Sequence, residues 1–199
     1  MTAPSAAFPE VTGAILTGGS SRRLGRDKVL LPYQGKPLGL HIYRILEDLL
    51  PEILLIGHPR PALEALGLTS YPDRMSGKGA LGGLYTALTI ATTQYVFVAA
   101  ADMPFLTADL ITGILSHRHD ADAVIPRGPA GPEPLCAVYS TSCTGTIGNN
   151  LDKGSLKIIS ALEGLTILYP DIEPDEDIPD PFFNINYPED LEKLGKDRE

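Results

Sequence analysis

Thirteen consecutive residues concentrate the chemistry of this 199-residue chain: Leu16-Thr-Gly-Gly-Ser-Ser-Arg-Arg-Leu-Gly-Arg-Asp-Lys28. Gly18 and Gly19 lack Cβ atoms, so the backbone there can turn tightly and present its N–H groups unobstructed. Ser20 and Ser21 add hydroxyl donors. Arg22, Arg23, Arg26 and Lys28 place four cations within seven residues. Backbone donors and local cations at the carboxyl end of a strand make a cradle for a polyphosphate. It is not a P-loop, because GxxxxGK[ST] is absent. The competing reading is a basic surface loop built on a pair of turn glycines.

Three later stretches can complete such a site. Ala99-Ala-Ala-Asp102-Met-Pro-Phe ends an apolar run with a carboxylate, and one carboxylate beside a triphosphate suits a magnesium ion. The competing role for Asp102 is to tie the turn before the next helix. Tyr71-Pro-Asp73 supplies a second carboxylate, able to accept from the N1–H and 2-amino donors of guanine that adenine lacks. Gly77-Lys-Gly-Ala-Leu-Gly-Gly83 follows it. That stretch contains GxGxxG literally but follows no clear strand, so its glycines serve either ligand contact or close helix–sheet packing. Finally, Asn184 and Asn186 share one face of an expected short strand, Phe182–Asn186, and either orient a polar ligand or hold a loop.

The elements that must position these residues alternate. Apolar runs at 11–16, 52–58, 95–101, 121–126, 135–140 and 165–170 read as strands, several apolar at consecutive positions as in sheets covered on both faces. Leu38, Ile42, Ile45, Leu46 and Leu49 form one helical stripe. Gly79–Thr92 and Thr107–His119 also read as helices, the second with Thr107 as N-cap. Pro188–Leu194 reads as a closing helix with proline in its first turn. The expected fold class is α/β, a mostly parallel central sheet between helices. Residues 1–10 read as a flexible tail and 11–196 as a single domain.

Composition sets outer limits. Sixteen Lys and Arg against 25 Asp and Glu give a net charge of −9, which argues against a nucleic-acid binder. It leaves room for one small anionic ligand held locally. Cys136 and Cys143 have no metal-binding or disulfide spacing and read as buried filler in a reducing compartment. His41 and His58 read as structural. No signal peptide or membrane span is legible, so a soluble cytoplasmic protein is the expectation. The proline-rich segment 170–181 carries six acidic residues and no basic one. It reads as a solvated loop, its alternative being a docking segment.

The stretch LTGGSSRRLGRDK resembles the signature L-A-G-G-x-S-x-R-M-G-x-D-K of the molybdenum-cofactor guanylyltransferases, within the nucleotidyltransferase superfamily. Further landmarks follow in that family's order: GKPL (35–38), Asp73, GALGGLYTAL (79–88), ADMPFL (101–106), EPLCAVY (133–139), KGSLKIISAL (153–162) and FFNINYPEDL (182–191). The resemblance runs from Val11 to Leu194. It implies a Rossmann-like three-layer α/β/α nucleotidyltransferase fold. It also implies Mg²⁺-dependent transfer of GMP from GTP to molybdopterin, with release of pyrophosphate.

By that resemblance Leu16, Thr17 and Gly18 line the nucleotide site, and Lys28 contacts the phosphates. Ser21, Arg23 and Gly25 shape the phosphate loop, where the Gly18 and Gly19 amides can hold the leaving pyrophosphate; Asp73 meets the guanine region, and Asp102 ligates Mg²⁺. Lys28, Arg23 and Asp102 are the expected catalytic set. Thr17 and Leu24 stand where the family usually has Ala and Met, and Ala80 where it has Pro. Gly57 stands where some members have a nucleotide-contacting Asn, which leaves only its backbone for contact. Lys153, Ser155, Asn184 and Asn186 are candidates for the acceptor side, and a molybdenum-insertion or molybdoenzyme-chaperone partner is a further expectation. The rival activities are cytidylyl transfer to the same acceptor and sugar-phosphate nucleotidyl transfer. A non-catalytic nucleotide-binding adapter would be expected to lose Lys28 or Asp102, and both are present.

Overall fold

The computed structural model describes residues 6–18, 27–75, 77–172, 179–187 and 189–192. In chain order, β1 (Val11–Leu16) leads through the 3₁₀ turn Lys28–Leu30 and the small hairpin β2 (Pro32–Tyr33) and β3 (Lys36–Pro37) to helix α1 (Leu38–Glu47). Then come β4 (Glu52–Ile56), the short helix α2 (Pro61–Glu64), β5 (Ser70–Tyr71), α3 (Gly79–Ile90) and β6 (Tyr95–Ala100). Helix α4 (Ala108–Ser116) precedes β7 (Ala123–Val124) and a second hairpin, β8 (Arg127–Gly128) and β9 (Gly131–Pro132). The remainder is β10 (Cys136–Ser140), the turn Thr141–Cys143, α5 (Thr144–Asp152), α6 (Ile158–Ala161) and β11 (Ile167–Leu168).

Seven strands form one sheet in the order β11-β7-β10-β6-β1-β4-β5. Pairings of β1 with β4 and β6, of β4 with β5 and of β7 with β11 are parallel. Within this sheet, among the described residues, β10 alone runs against both its neighbours. The expected mostly parallel α/β sheet is the observed one.

Alternation of side chains divides the central strands between two cores. Val11 and Ile15 of β1, Phe97 and Ala99 of β6, and Val138 of β10 face a core shared with α1 and α4. Ala14, Leu16, Val96, Val98, Ala137 and Tyr139 face the other, shared with α3, α5 and α6. Every residue of β1 and β6 is buried, which is why both read in the sequence as continuous apolar runs.

The route of the chain places the site. From β1 it crosses to β4 by way of α1, but from β5 it returns by way of α3 to β6, on the other side of β1. The two connecting helices lie on opposite faces, so a crevice opens beyond the carboxyl ends of β1 and β6, where open α/β sheets bind ligands.

Several expectations need revising. Phe182–Asn186 forms no strand: Ile185 N donates 3.0 Å to the carbonyl of Asp102, and no ladder follows. The reason is topological. Strand β6 already has β1 and β10 on its two sides, so a segment arriving beyond its end, at Asp102, finds no free edge of it to extend. Nor are residues 6–10 loose. The Phe8 N–H bonds the Leu49 carbonyl at 3.2 Å, its ring lies 5.2 Å from the Arg118 guanidinium, and Glu10 pairs with Arg118. The helices end earlier than the patterns suggest, at Ile90 and Ser116, although Thr107 does cap α4 by accepting from Leu110 N at 3.3 Å. The closing helix expected at 188–194 falls partly outside the described residues, and 190–192 are helical.

Candidate active site

A cleft of about 250 Å³ occupies the crevice. Seven residues singled out in the sequence meet there: Leu16, Thr17, Gly18, Lys28, Gly57, Asp73 and Asp102. Gly19, Ser21, Arg23 and Gly25, and with them Arg22 and Arg26, lie outside the described residues. Asp27, the aspartate of the signature's Asp-Lys ending, also lines the cleft, as do Val29 and Leu135, whose type alone does not announce it.

Lys28 sits at the start of a single 3₁₀ turn. Asp27 caps that turn, its Oδ1 accepting from Val29 N at 3.2 Å. Val29 is 2% exposed and docks on Gly39 at the start of α1, where a Cβ would come within 2.4 Å of the valine side chain. Anchored from below in this way, Lys28 reaches across the cleft mouth. Its Nζ donates to Asp102 Oδ2 at 2.7 Å and to Asn186 Oδ1 at 2.8 Å. The lysine and aspartate side chains are 20% and 17% exposed, so water only partly screens their attraction.

Asn186 arrives from the far end of the chain because its segment is pinned twice. The Ile185 N–H holds Asp102 O, and the buried Phe182 ring fills the room left by Gly128, where a Cβ would lie 2.6 Å from the ring. Asn184 spends its amide on the Phe182 carbonyl at 2.8 Å, the loop-holding alternative raised for it. Lys153 and Ser155 sit beyond the end of α5 and do not line the cleft.

Across the cleft, Asp73 Oδ1 accepts from Met75 N at 2.8 Å and from the Thr86 hydroxyl at 3.0 Å. A Cβ on Gly82 would come within 2.8 Å of the Met75 carbonyl and 3.1 Å of Asp73 Oδ2. Gly82 therefore packs against the Asp73 turn, Gly79 lines the cleft, and Gly83 both lines the cleft and packs on Leu16 of β1, where a Cβ would lie 3.3 Å from the leucine side chain. The Asp73 carboxylate is held rigidly by its own turn and by α3.

Gly57 and Thr17 are in contact. Gly57 has φ +150°, and a Cβ there would come within 2.4 Å of Thr17 Oγ1. That hydroxyl donates to the Ile56 carbonyl at 3.0 Å. Sequence reasoning missed Arg60, which accompanies this pair. Its guanidinium donates to Asp27 Oδ2 at 2.6 Å, to Thr17 Oγ1 at 3.0 Å and to Thr17 O at 2.8 Å. The one signal for it was its place between Pro59 and Pro61.

Behind the cleft, His41 packs edge-on against Tyr33 at 4.7 Å between ring centres, and burial lowers its pKa. Burial raises both thiols, Cys143 to about 12 and Cys136 further, so neither offers a thiolate. Among the described residues no helix is long and apolar enough to cross a membrane.

Glu133, in the turn that leads through Leu135 into β10, is pushed from 4.5 up to about 7 by burial and, secondarily, by the charge of Asp180. Between those pH values the folded chain keeps a proton that the unfolded chain has lost. Stability therefore falls as pH rises through the window. Glu133→Gln removes the titration. Its melting temperature should match the wild type at pH 4 and exceed it at pH 8 by about 2 °C, a modest shift because the group is partly solvated. Thermal melts at the two pH values check this.

The MobA-like NTP transferase domain model matches residues 13–165. A molybdenum cofactor guanylyltransferase of Desulfosudis oleivorans is 32% identical over 197 residues, covering 92% of this chain and 93% of that protein. A Pyrococcus furiosus protein named "Probable molybdenum cofactor guanylyltransferase" is 36% identical over 195 residues, covering 92% and 96%. Among solved structures, molybdopterin-guanine dinucleotide biosynthesis protein A of Archaeoglobus fulgidus superposes with a TM-score of 0.74 at 29% identity, covering 92% of this chain and 96% of that one.

Proposed function

The chain belongs to the MobA-like NTP transferase family, and from that premise we propose that it transfers GMP from GTP to molybdopterin, releasing pyrophosphate. The observation that carries the reading is the meeting of Lys28 and Asp102, 2.7 Å apart, in a cleft also lined by Gly18, Gly57 and Asp73. A phosphate oxygen of molybdopterin attacks the α-phosphorus of GTP; the new P–O bond forms as the bond to pyrophosphate breaks. The attacking phosphate is already ionised, so no general base is needed. What the reaction requires is positioning and neutralisation of charge.

Each residue has a part in that. Lys28 supplies a fixed cation to the phosphates, and the Gly18 backbone, free of a Cβ, can approach them closely. Asp73, held by Met75 N and Thr86, faces the base and can accept from the two guanine donors. Asn186, which accepts from Lys28 Nζ, is the candidate for contact with the acceptor.

Magnesium fits the donor set. Mg²⁺ is usually held by one or two carboxylates together with substrate phosphates. Among the described residues no three His, Cys, Asp or Glu side chains are grouped to cage an ion alone. Asp102 would hold it with the triphosphate, and the ion, when bound, offsets charge developing on the phosphates.

The test is to incubate the protein with molybdopterin, Mg²⁺ and each nucleoside triphosphate in turn, and to measure pyrophosphate release. GTP should support release and CTP should not; release with CTP alone would overturn the guanylyl assignment, and release with neither would overturn the transfer.

A further inference from the structure

We infer that Arg60 is a positioning residue of the nucleotide site, fixing the turn that carries Lys28 against the end of β1. The inference rests on the reading that the cleft takes GTP.

The geometry begins with the chain itself. Arg60 lies between two prolines, and a residue before proline is confined to extended backbone; its φ and ψ are −130° and 111°. The backbone from which its side chain leaves is thereby restricted before any contact forms. The side chain is 13% exposed and reaches two elements at once. Toward β1 it donates to both the carbonyl and the hydroxyl of Thr17. Toward the Lys28 turn it donates from Nε to Asp27 Oδ2 at 2.6 Å. Another donation, to its own loop at His58 O (2.9 Å), keeps the fork in place.

Asp27 passes this restraint on. One oxygen takes Arg60, and the other caps the turn through Val29 N. The residue between Asp27 and Val29 is Lys28, whose Nζ faces Asp102. A path of named contacts thus runs from Arg60 through Asp27 to the cation in the cleft. With its donors engaged on Asp27, Thr17 and His58, Arg60 acts through these partners, not on the phosphates. Four acceptor atoms, Asp27 Oδ2, Thr17 Oγ1, Thr17 O and His58 O, are served from the three nitrogens of one guanidinium, whereas a lysine ammonium has three donors on a single nitrogen, so lysine is a poor replacement.

The test uses Arg60→Met, Arg60→Lys, Asp27→Asn and the double variant Arg60→Met/Asp27→Asn in the full chain. Direct titration with GTP and Mg²⁺ gives Kd; steady-state rates give KM for each substrate; thermal melts report the fold. Arg60→Met should raise Kd and KM for GTP about tenfold and leave KM for molybdopterin unchanged. Arg60→Lys should recover little of the loss. Asp27→Asn should lose a similar amount, and the double variant should be within about twofold of the worse single one, as expected of residues acting in series.

Full rescue by Arg60→Lys would overturn the inference in favour of direct charge contact. So would additive losses in the double variant, or lowered melting temperature with GTP affinity unchanged. If Arg60→Met does not fold, Arg60→Lys and Asp27→Asn decide the matter by the same readings. Wild-type protein that binds GTP without transferring it would defeat the transfer reading while leaving the Arg60 comparison to be read from Kd; if GTP does not bind, the inference falls with its premise.

Discussion

Asp102→Asn is expected to cut GTP-dependent pyrophosphate release at least about a thousandfold, roughly 4 kcal/mol of barrier, with little change in melting temperature. The asymmetry follows from what asparagine keeps. It has the same shape, and its amide oxygen can still accept from Lys28, whose Nζ lies 2.7 Å from the carboxylate. The Asp102 carbonyl, which anchors Ile185, is untouched. What disappears is one negative charge in a partly dry cleft, the charge proposed to hold a divalent ion beside the triphosphate. A second reading separates this from general damage. Affinity for GTP without magnesium should hold or improve, because Lys28 loses its competitor for the phosphates, whereas the gain in affinity on adding magnesium should vanish. Unaltered turnover would sink the metal assignment.

The second large effect is at Lys28. Lys28→Met keeps the length of the stem but removes the cation that Asp102 and Asn186 both hold. It should lower kcat/KM for GTP by about a thousandfold, shared between weaker binding and slower turnover, because the phosphates carry charge in both the ground and transition states. Lys28→Arg should recover only a minor part. The 3₁₀ turn places a point charge between two acceptors below 3 Å, and a planar fork does not fit that geometry. Steady-state rates across GTP concentrations measure the split; a loss below tenfold would remove Lys28 from the phosphate site.

These two residues also show how far the sequence can be read. Both stand in stretches whose composition marks them out, and the strands before them were legible because burial on both faces demands unbroken apolar residues. The partnership between them was not legible, since Lys28 and Asp102 are 74 positions apart and only the return of the chain past β1 brings them together. Arg60 is the sharper case. Its position between prolines is visible, but its value depends on Thr17 and Asp27, 43 and 33 positions away. The small hairpins and the four-residue helices α2 and α6 are likewise set by packing, being too short to carry a period. The misread strand at Phe182–Asn186 has the same origin: its apolar residues are anchors beneath a loop, and alternation alone does not tell an anchor from a ladder.

The contact between Gly57 and Thr17 reaches beyond this one chain. A side chain at 57 would collide with the Thr17 hydroxyl and would have to accept a φ of +150°. The two positions therefore cannot drift independently. An asparagine at 57 requires the hydroxyl at 17 to move or be lost and the backbone of the bend to relax. Positions 17 and 57 are thus sterically coupled at this rim of the cleft, and a substitution at one changes what the other can hold.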